Sequence, residues 1–317
     1  MAVPSNTYLR YTSIGVREDL ADVIYNISPT DTPIMSSIGK SRATQTLHEW
    51  QTDSLAANTT ANALIEGDDA AAASLSPTTR LSNYTQIVGK TVQISGTLEA
   101  VDKAGRKSEK AYQLAKASSE IKRDIETIIT ANQAKTNGTA TSAARKMGSL
   151  LSWITTNVSK GSAGTNPTGD GSDVRSDTTT RTFLESMLKD VAQLVFTNGG
   201  TPKALFVPPG LKATVSGFAG VAQQRYVTGA EPTTIVAAAG AYLSDFGLIS
   251  IVPDRFMRTT DALLLDSEYA ALAYLRPFQT NDLARTGDSD KTQILAELTL
   301  EVSNEKAHGG MFDLKAA

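Results

Sequence analysis

Arg106–Thr136, RKSEKAYQLAKASSEIKRDIETIITANQAKT, reads as a single long amphipathic helix and decides the fold. Ala111, Leu114, Ser118, Ile121, Ile125, Ile128 and Asn132 recur at steps of three and four, which places them on one stripe. Lys110, Lys116, Glu120, Lys122, Arg123 and Glu126 fall elsewhere on its surface. Lys116–Glu120 and Lys122–Glu126 are spaced to pair along the helix, at a few tenths of a kcal/mol each. Asn137-Gly138 supplies a stop, because glycine accepts the left-handed conformation that closes a helix. Such a helix would be roughly 45 Å long. A coiled coil would need several strong heptads, and Ala, Ser and Asn dilute both ends of this seam. The reading is a spine lying across a sheet.

Working outward, the segments before the spine lack the periodicity of a compact domain. Asp19, Leu20, Val23, Ile24 and Ile27 suit two turns of helix, and Ser28-Pro29-Thr30-Asp31-Thr32-Pro33 forbids a longer one. Residues 1–46 therefore read as an arm that contacts neighbours rather than its own core. Leu47 to Asp53 enters an extended loop, and Tyr84, Gln86, Val88, Lys90, Val92 and Ile94 share one face of the returning strand. Between them Ala56–Thr79 is polar and aperiodic, a tip that cannot pack a core of its own.

Beyond the spine, Met147, Leu150, Leu151 and Ile154 form a short buried segment. Ser159–Thr180, rich in Gly, Ser, Thr and Asp, reads as an exposed loop or boundary. A helix from about Arg181 buries Phe183, Leu184, Met187, Leu188, Val191, Leu194 and Val195, and stops at Gly199-Gly200. Lys203 to Val207 is a buried strand. Further strands follow at Ile249 to Val252, Leu263 to Leu265, Ala271 to Leu275 and Gln293 to Val302, the last alternating Ile294, Ala296, Leu298, Leu300 and Val302 toward one buried face. The fold class is α+β.

Composition narrows the function. The absence of cysteine excludes disulfides, zinc–thiolate sites and thiol catalysis. A net charge of −3 argues against a dedicated nucleic-acid binder. The apolar run near Thr234–Leu243 is too short to span a bilayer, and Met1–Ser13 has no signal core, so a cytoplasm is the default place of synthesis. His48 and His308 are the possible bases for a serine nucleophile, yet no Gly-x-Ser-x-Gly occurs. Gly39-Lys40-Ser41 and Gly89-Lys90-Thr91 imitate a phosphate loop but carry Ile34 and Tyr84 where its first glycine belongs. Glu66, Asp68 and Asp69 lack calcium-loop spacing and read as a solvated turn. No catalytic, cofactor-binding or metal residue is assigned, and the expectation is a non-enzyme.

An ordered series of short motifs carries a resemblance. It runs through Arg17-Glu18-Asp19-Leu20, Ile27-Ser28-Pro29 with Asp31-Thr32-Pro33, Glu49-Trp50-Gln51 with Asp53, Asn83-Tyr84-Thr85-Gln86, Ser95-Gly96-Thr97 and Gly105-Arg106. It continues with Asp124 and Glu126, Gly199-Gly200, Ser244-Asp245-Phe246-Gly247, Asp254-Arg255, Leu275-Arg276-Pro277, Thr286-Gly287-Asp288 and Glu297-Leu298-Thr299-Leu300. Together they cover nearly the whole chain, which resembles the major capsid proteins of tailed bacteriophages with the Hong Kong 97-like shell fold, of a group known from some podoviruses.

The resemblance implies an N-terminal arm (1–46), an extended loop (47–97), a peripheral domain (98–180 and 286–317) holding the spine helix, and an axial domain (181–285). It implies hexamers and pentamers in an icosahedral shell around phage double-stranded DNA, enclosed without sequence-specific binding. Portal, scaffolding and cement proteins are the implied partners, with no membrane, and assembly is in the host cytoplasm. The chain begins directly with the arm, from which a mature-length product and a separate scaffolding protein are expected. The alternative with the same fold is the shell of a prokaryotic encapsulating nanocompartment; a hydrolase using His308 is a third, remote reading. Some shells of this fold lock themselves by an isopeptide bond from a loop lysine, but the tip 56–79 contains no lysine, so non-covalent contacts are expected to hold this one.

Overall fold

The computed structural model describes residues 29–316 apart from 68, 70, 71, 104 and 219–239. The helix expected within residues 19–27 lies outside them. The chain opens on α1 (Pro33–Ser37) and β1 (Gly39–Arg42), then β2 (Leu47–Thr52), β3 (Thr79–Tyr84), β4 (Gln86–Ser95) and α2 (Gly96–Ala100). The spine is α3 (Glu109–Thr130), followed by α4 (Leu150–Trp153), β5 (Val158–Ser159), β6 (Arg181–Thr182), α5 (Glu185–Thr197), β7 (Ala204–Val207) and α6 (Pro209–Ser216). The remainder is β8 (Ala241–Ser244), β9 (Gly247–Pro253), β10 (Ala262–Leu265), β11 (Ala270–Leu283), β12 (Ser289–Val302), β13 (Gly309–Met311) and β14 (Leu314–Lys315).

Two sheets organise these elements. A long sheet runs β1-β11-β12-β4, and a second runs β5-β13-β10-β7-β9-β8. In the long sheet β12 is hydrogen-bonded antiparallel to β11 on one side and β4 on the other. Its even-numbered residues Ile294 to Val302 are buried as the alternation requires, and they meet Ile121, Ile125 and Ile129 of the spine. The second sheet sends Phe206, Leu263 and Leu265 into that same core. Its alternate residues Leu205, Val207, Ala262 and Leu264 meet Leu188, Val191 and Val195 of α5 and Leu211 and Val215 of α6. Two apolar layers thus share one sheet.

Several expectations are corrected. The spine is 22 residues long, about 33 Å, rather than the full 106–136. Ser108 caps its start by accepting from Ala111 N at 3.2 Å. It ends after the β-branched run Thr127–Thr130, where the Thr130 hydroxyl bonds back to Glu126 O and Ala131 turns extended. Ser149 then takes the amide of Gln133, and Gly138 (φ +74°) closes a later turn instead of the helix. The buried stripe is Ala117, Ile121, Ile125 and Ile129, spaced by four, so Ala111 is exposed and Leu114, Ser118, Ile128 and Asn132 are only half-buried. Glu126, expected on the surface to pair with Lys122, is fully buried instead.

The described part of the arm, from residue 29, is also part of its own subunit's core, rather than contacting neighbours alone. Ile34, Met35, Ile38 and Ala43 are buried, and β1 pairs parallel with β11. Ser159–Thr180 is a loop exposed over much of its length, as expected, but anchored at buried points. Arg175 is buried across the Phe312 ring, and Asp313 accepts from Thr178 N at 2.8 Å and Gly161 N at 3.0 Å. Hydrogen bonds replace the missing apolar side chains there. The helix expected from Arg181 begins at Glu185, because Arg181–Thr182 pairs with β14, and it leaves Leu184 and Leu194 exposed. Strand β11 runs on from Leu275 past Pro277 to Leu283, with register shifts on either side of Arg276 that accommodate the proline.

The packing of the spine gives a first test. Ile121→Asp places an unpaired carboxylate between α3 and β12 and should remove about 4 kcal/mol or more of stability. Soluble yield and urea unfolding of the subunit measure this, and wild-type behaviour would mean the stripe faces water.

Candidate functional site

A two-stranded ribbon projects from the long sheet. Strands β2 and β3 pair antiparallel from Leu47↔Tyr84 to Thr52↔Thr79, and they carry between them residues 53–78, whose described residues form no regular strand or helix. A two-stranded ribbon alone is marginal in water. Its tip exposes Leu55 (98%), Leu64 (90%) and Leu75 (90%), with Ile65 beside them. Single exposed apolar side chains are ordinary, but four along one unpacked segment call for a covering surface.

The root of the ribbon is firmly pinned. Thr85, between β3 and β4, donates its amide to Thr46 O at 2.8 Å and its hydroxyl to Glu297 Oε1 at 2.7 Å. Arg145 reaches the same oxygen, and Arg276 Nε donates to Glu297 Oε2 at 2.8 Å. The Glu297 carboxylate is almost wholly buried, so two guanidiniums and a hydroxyl replace its water. Two residues back from Thr85, Asn83 is fully buried, donating to Leu300 O at 2.7 Å and accepting from Gly148 N at 2.8 Å. Across the ribbon His48 Nε2 lies 3.1 Å from Glu301 Oε2, which also accepts from Ser41 of the arm at 2.9 Å. Trp50 packs on Trp153 with ring centroids 5.3 Å apart. The arrangement is a lever: a rigid base carrying an unsupported end.

The arm is pinned to the spine in a comparable way. Glu126 accepts from Ile34 N at 2.6 Å and from Met35 N at 2.8 Å, capping α1 from 92 residues away. On the neighbouring face Lys90 bonds Glu120 at 2.9 Å and lies 3.4 Å from Asp124. The hydrogen bond to Glu120 holds its ammonium more firmly protonated than usual, and burial opposes this only partly.

The residues considered for chemistry are placed elsewhere. Gly39-Lys40-Ser41 and Gly89-Lys90-Thr91 lie inside β1 and β4, where no phosphate loop can form. His308 is fully buried, with Asp266 N donating to Nδ1 at 3.3 Å, and burial pushes its pKa down to about 4. Among the described residues neither histidine bonds a serine or threonine hydroxyl, and no three His, Asp or Glu side chains gather as metal ligands. No described helix is long and apolar enough to cross a membrane.

The architecture of spine, long sheet and extended loop has counterparts. The SU10 major capsid protein family matches residues 3–315. The chain belongs to that family. The major capsid protein of Escherichia phage Phieco32 is 28% identical over 351 residues, covering 98% of each chain. Among solved structures, the Cyanophage A-1(L) capsid asymmetric unit superposes with a TM-score of 0.68 at 12% identity, over 94% of this chain and 97% of the other. The SrpI encapsulin complex of Synechococcus elongatus gives 0.55 at 9% identity, over 94% and 92%. The fold is therefore the Hong Kong 97-like shell fold, and the protein is a tailed-phage major capsid protein, a shell-forming component of the virion.

Sequence alone gives Asn83, Thr85, Arg276 and Glu297 no individual role and Glu126 only a surface pairing with Lys122, although all five lie within the motifs that carry the resemblance. Their signal is a polar residue set inside an apolar pattern, as Glu297 is in Ile294–Val302. Glu297→Gln removes the charge facing Arg145 and Arg276 and should cost about 2 kcal/mol of subunit stability in urea unfolding. An unchanged midpoint would show that the clamp does not hold the root.

Proposed function

We propose that many copies of this chain assemble as hexamers and pentamers into an icosahedral shell around phage double-stranded DNA. The observation that carries the reading is the apolar tip exposed at the end of a pinned ribbon, a shape that gains its core only from a neighbour. Residues 1–46 serve as the arm, 47–97 as the extended loop, 98–180 and 286–317 as the peripheral domain, and 181–285 as the axial domain. The β11–β12 hairpin straddles the last boundary and ties the two domains through one sheet.

A net charge of −3 suits a wall that contains DNA without gripping it. Portal, scaffolding and cement proteins are the partners of this reading, assembly takes place in the host cytoplasm, and the protein works without catalysis. An encapsulating nanocompartment is the second reading, favoured by the likeness to the encapsulin shell. The match to a phage capsid family over nearly the whole chain outweighs it.

Electron microscopy of the purified full-length protein, expressed alone and with candidate scaffolding genes, tests this. Closed shells or free capsomers are expected, and monomers under every condition would overturn it. Shells that form only around a co-expressed enzyme cargo would favour the compartment.

A further inference from the structure

Beneath the arm lie two carboxyl groups that water does not reach. Glu126, on the spine, and Asp254, just after β9, both have no exposed surface. Glu126 receives the Ile34 and Met35 amides of the arm, one on each oxygen. Asp254 Oδ1 accepts from Phe256 N at 2.8 Å, whereas its Oδ2 has no hydrogen-bond partner. The two carboxyls are near enough for each to alter the other's titration.

Among the described residues no cation compensates them. The arm helix contributes Pro33–Ser37, which carry no charge. On the spine, Lys122 is exposed and Arg123 lies over the Phe256 ring. On the loop after β9, Arg255 is exposed, and Arg258 is engaged with Asp177 and Asp261. Two ionised carboxylates without a counter-ion do not stay buried side by side, and an orphaned carboxylate oxygen there calls for a donor. A proton on Glu126 supplies it.

We propose that this shared proton is part of the latch that docks the arm, so that its loss to bulk water loosens residues 33–38 from the spine. The direction follows from linkage. Burial, and then the charge of Asp254, lift the Glu126 pKa from 4.5 to about 7, against the opposing pull of the two arm amides. Burial raises Asp254 as well. A carboxyl exposed by a released arm returns to its ordinary value. Docking therefore takes up a proton: its proton-linked part is complete below the ordinary value and is lost as pH rises through about 7. Between pH 6 and pH 8 the docking equilibrium should fall roughly tenfold. The apolar contacts of Ile34, Met35 and Ile38 remain, so the arm is weakened rather than expelled at once.

Hydrogen–deuterium exchange of the full-length subunit, followed on peptides spanning 33–40 from pH 5.5 to 8.5 and expressed as protection factors, tests the latch. In the wild type protection should drop about tenfold between pH 6 and pH 8, with β12 peptides unchanged. Glu126→Gln, a permanent mimic of the protonated acid, should flatten the profile. Asp254→Asn removes the neighbouring charge and should move the midpoint to lower pH. Wild-type protection independent of pH, or either variant reproducing the wild-type profile, would overturn the proposal. If Glu126→Gln fails to fold, the Asp254→Asn midpoint decides alone.

Discussion

Strand β12 is the constraint on which the rest depends. It is paired on both edges, to β11 and to β4, so neither edge can be given to another chain. Its two faces must then satisfy opposite demands. One packs Ile294, Ala296, Leu298, Leu300 and Val302 against the spine and its surroundings, at about 1.5 to 3 kcal/mol for each large side chain buried. The other presents Glu297 and Glu301, which fasten the loop root and the arm. A one-residue slip of β12 would exchange these faces and undo both attachments together.

This division explains how a subunit can be stable yet incomplete. The loop root is built from charge-assisted hydrogen bonds out of water, and those interactions fix a direction as well as an energy. The described residues of the tip have neither apolar packing nor strand partners, and Leu55, Leu64 and Leu75 stand in solvent. Rigidity at the root lowers the entropy to be lost when the tip meets a surface, which is how a preorganised element binds. The described part of the arm follows another rule, since its apolar residues are already buried at home.

The legible parts of the fold were those governed by periodicity. Ile121 and Ile125 declare a buried helix face, and the alternation of 294–302 declares a half-buried strand, because each repeats a geometric period. What escaped was polar burial. Glu126 looks like any charged residue on an amphipathic helix, and only the amides of Ile34 and Met35, far away in sequence, draw it inside. Arg175 and Asp313 likewise make a polar segment part of the interior through partners that no local window contains. The end of the spine has a related cause, as Ser149 claims the backbone of Gln133 from outside the helix.

The central claim is that residues 53–78 acquire their core only from neighbouring copies. The most direct measurement compares amide hydrogen exchange of that segment in free subunits and in assembled shells. The account predicts rapid exchange in the subunit and strong protection in the shell, while β12 is protected in both. Equal exchange of the tip in both states would contradict it.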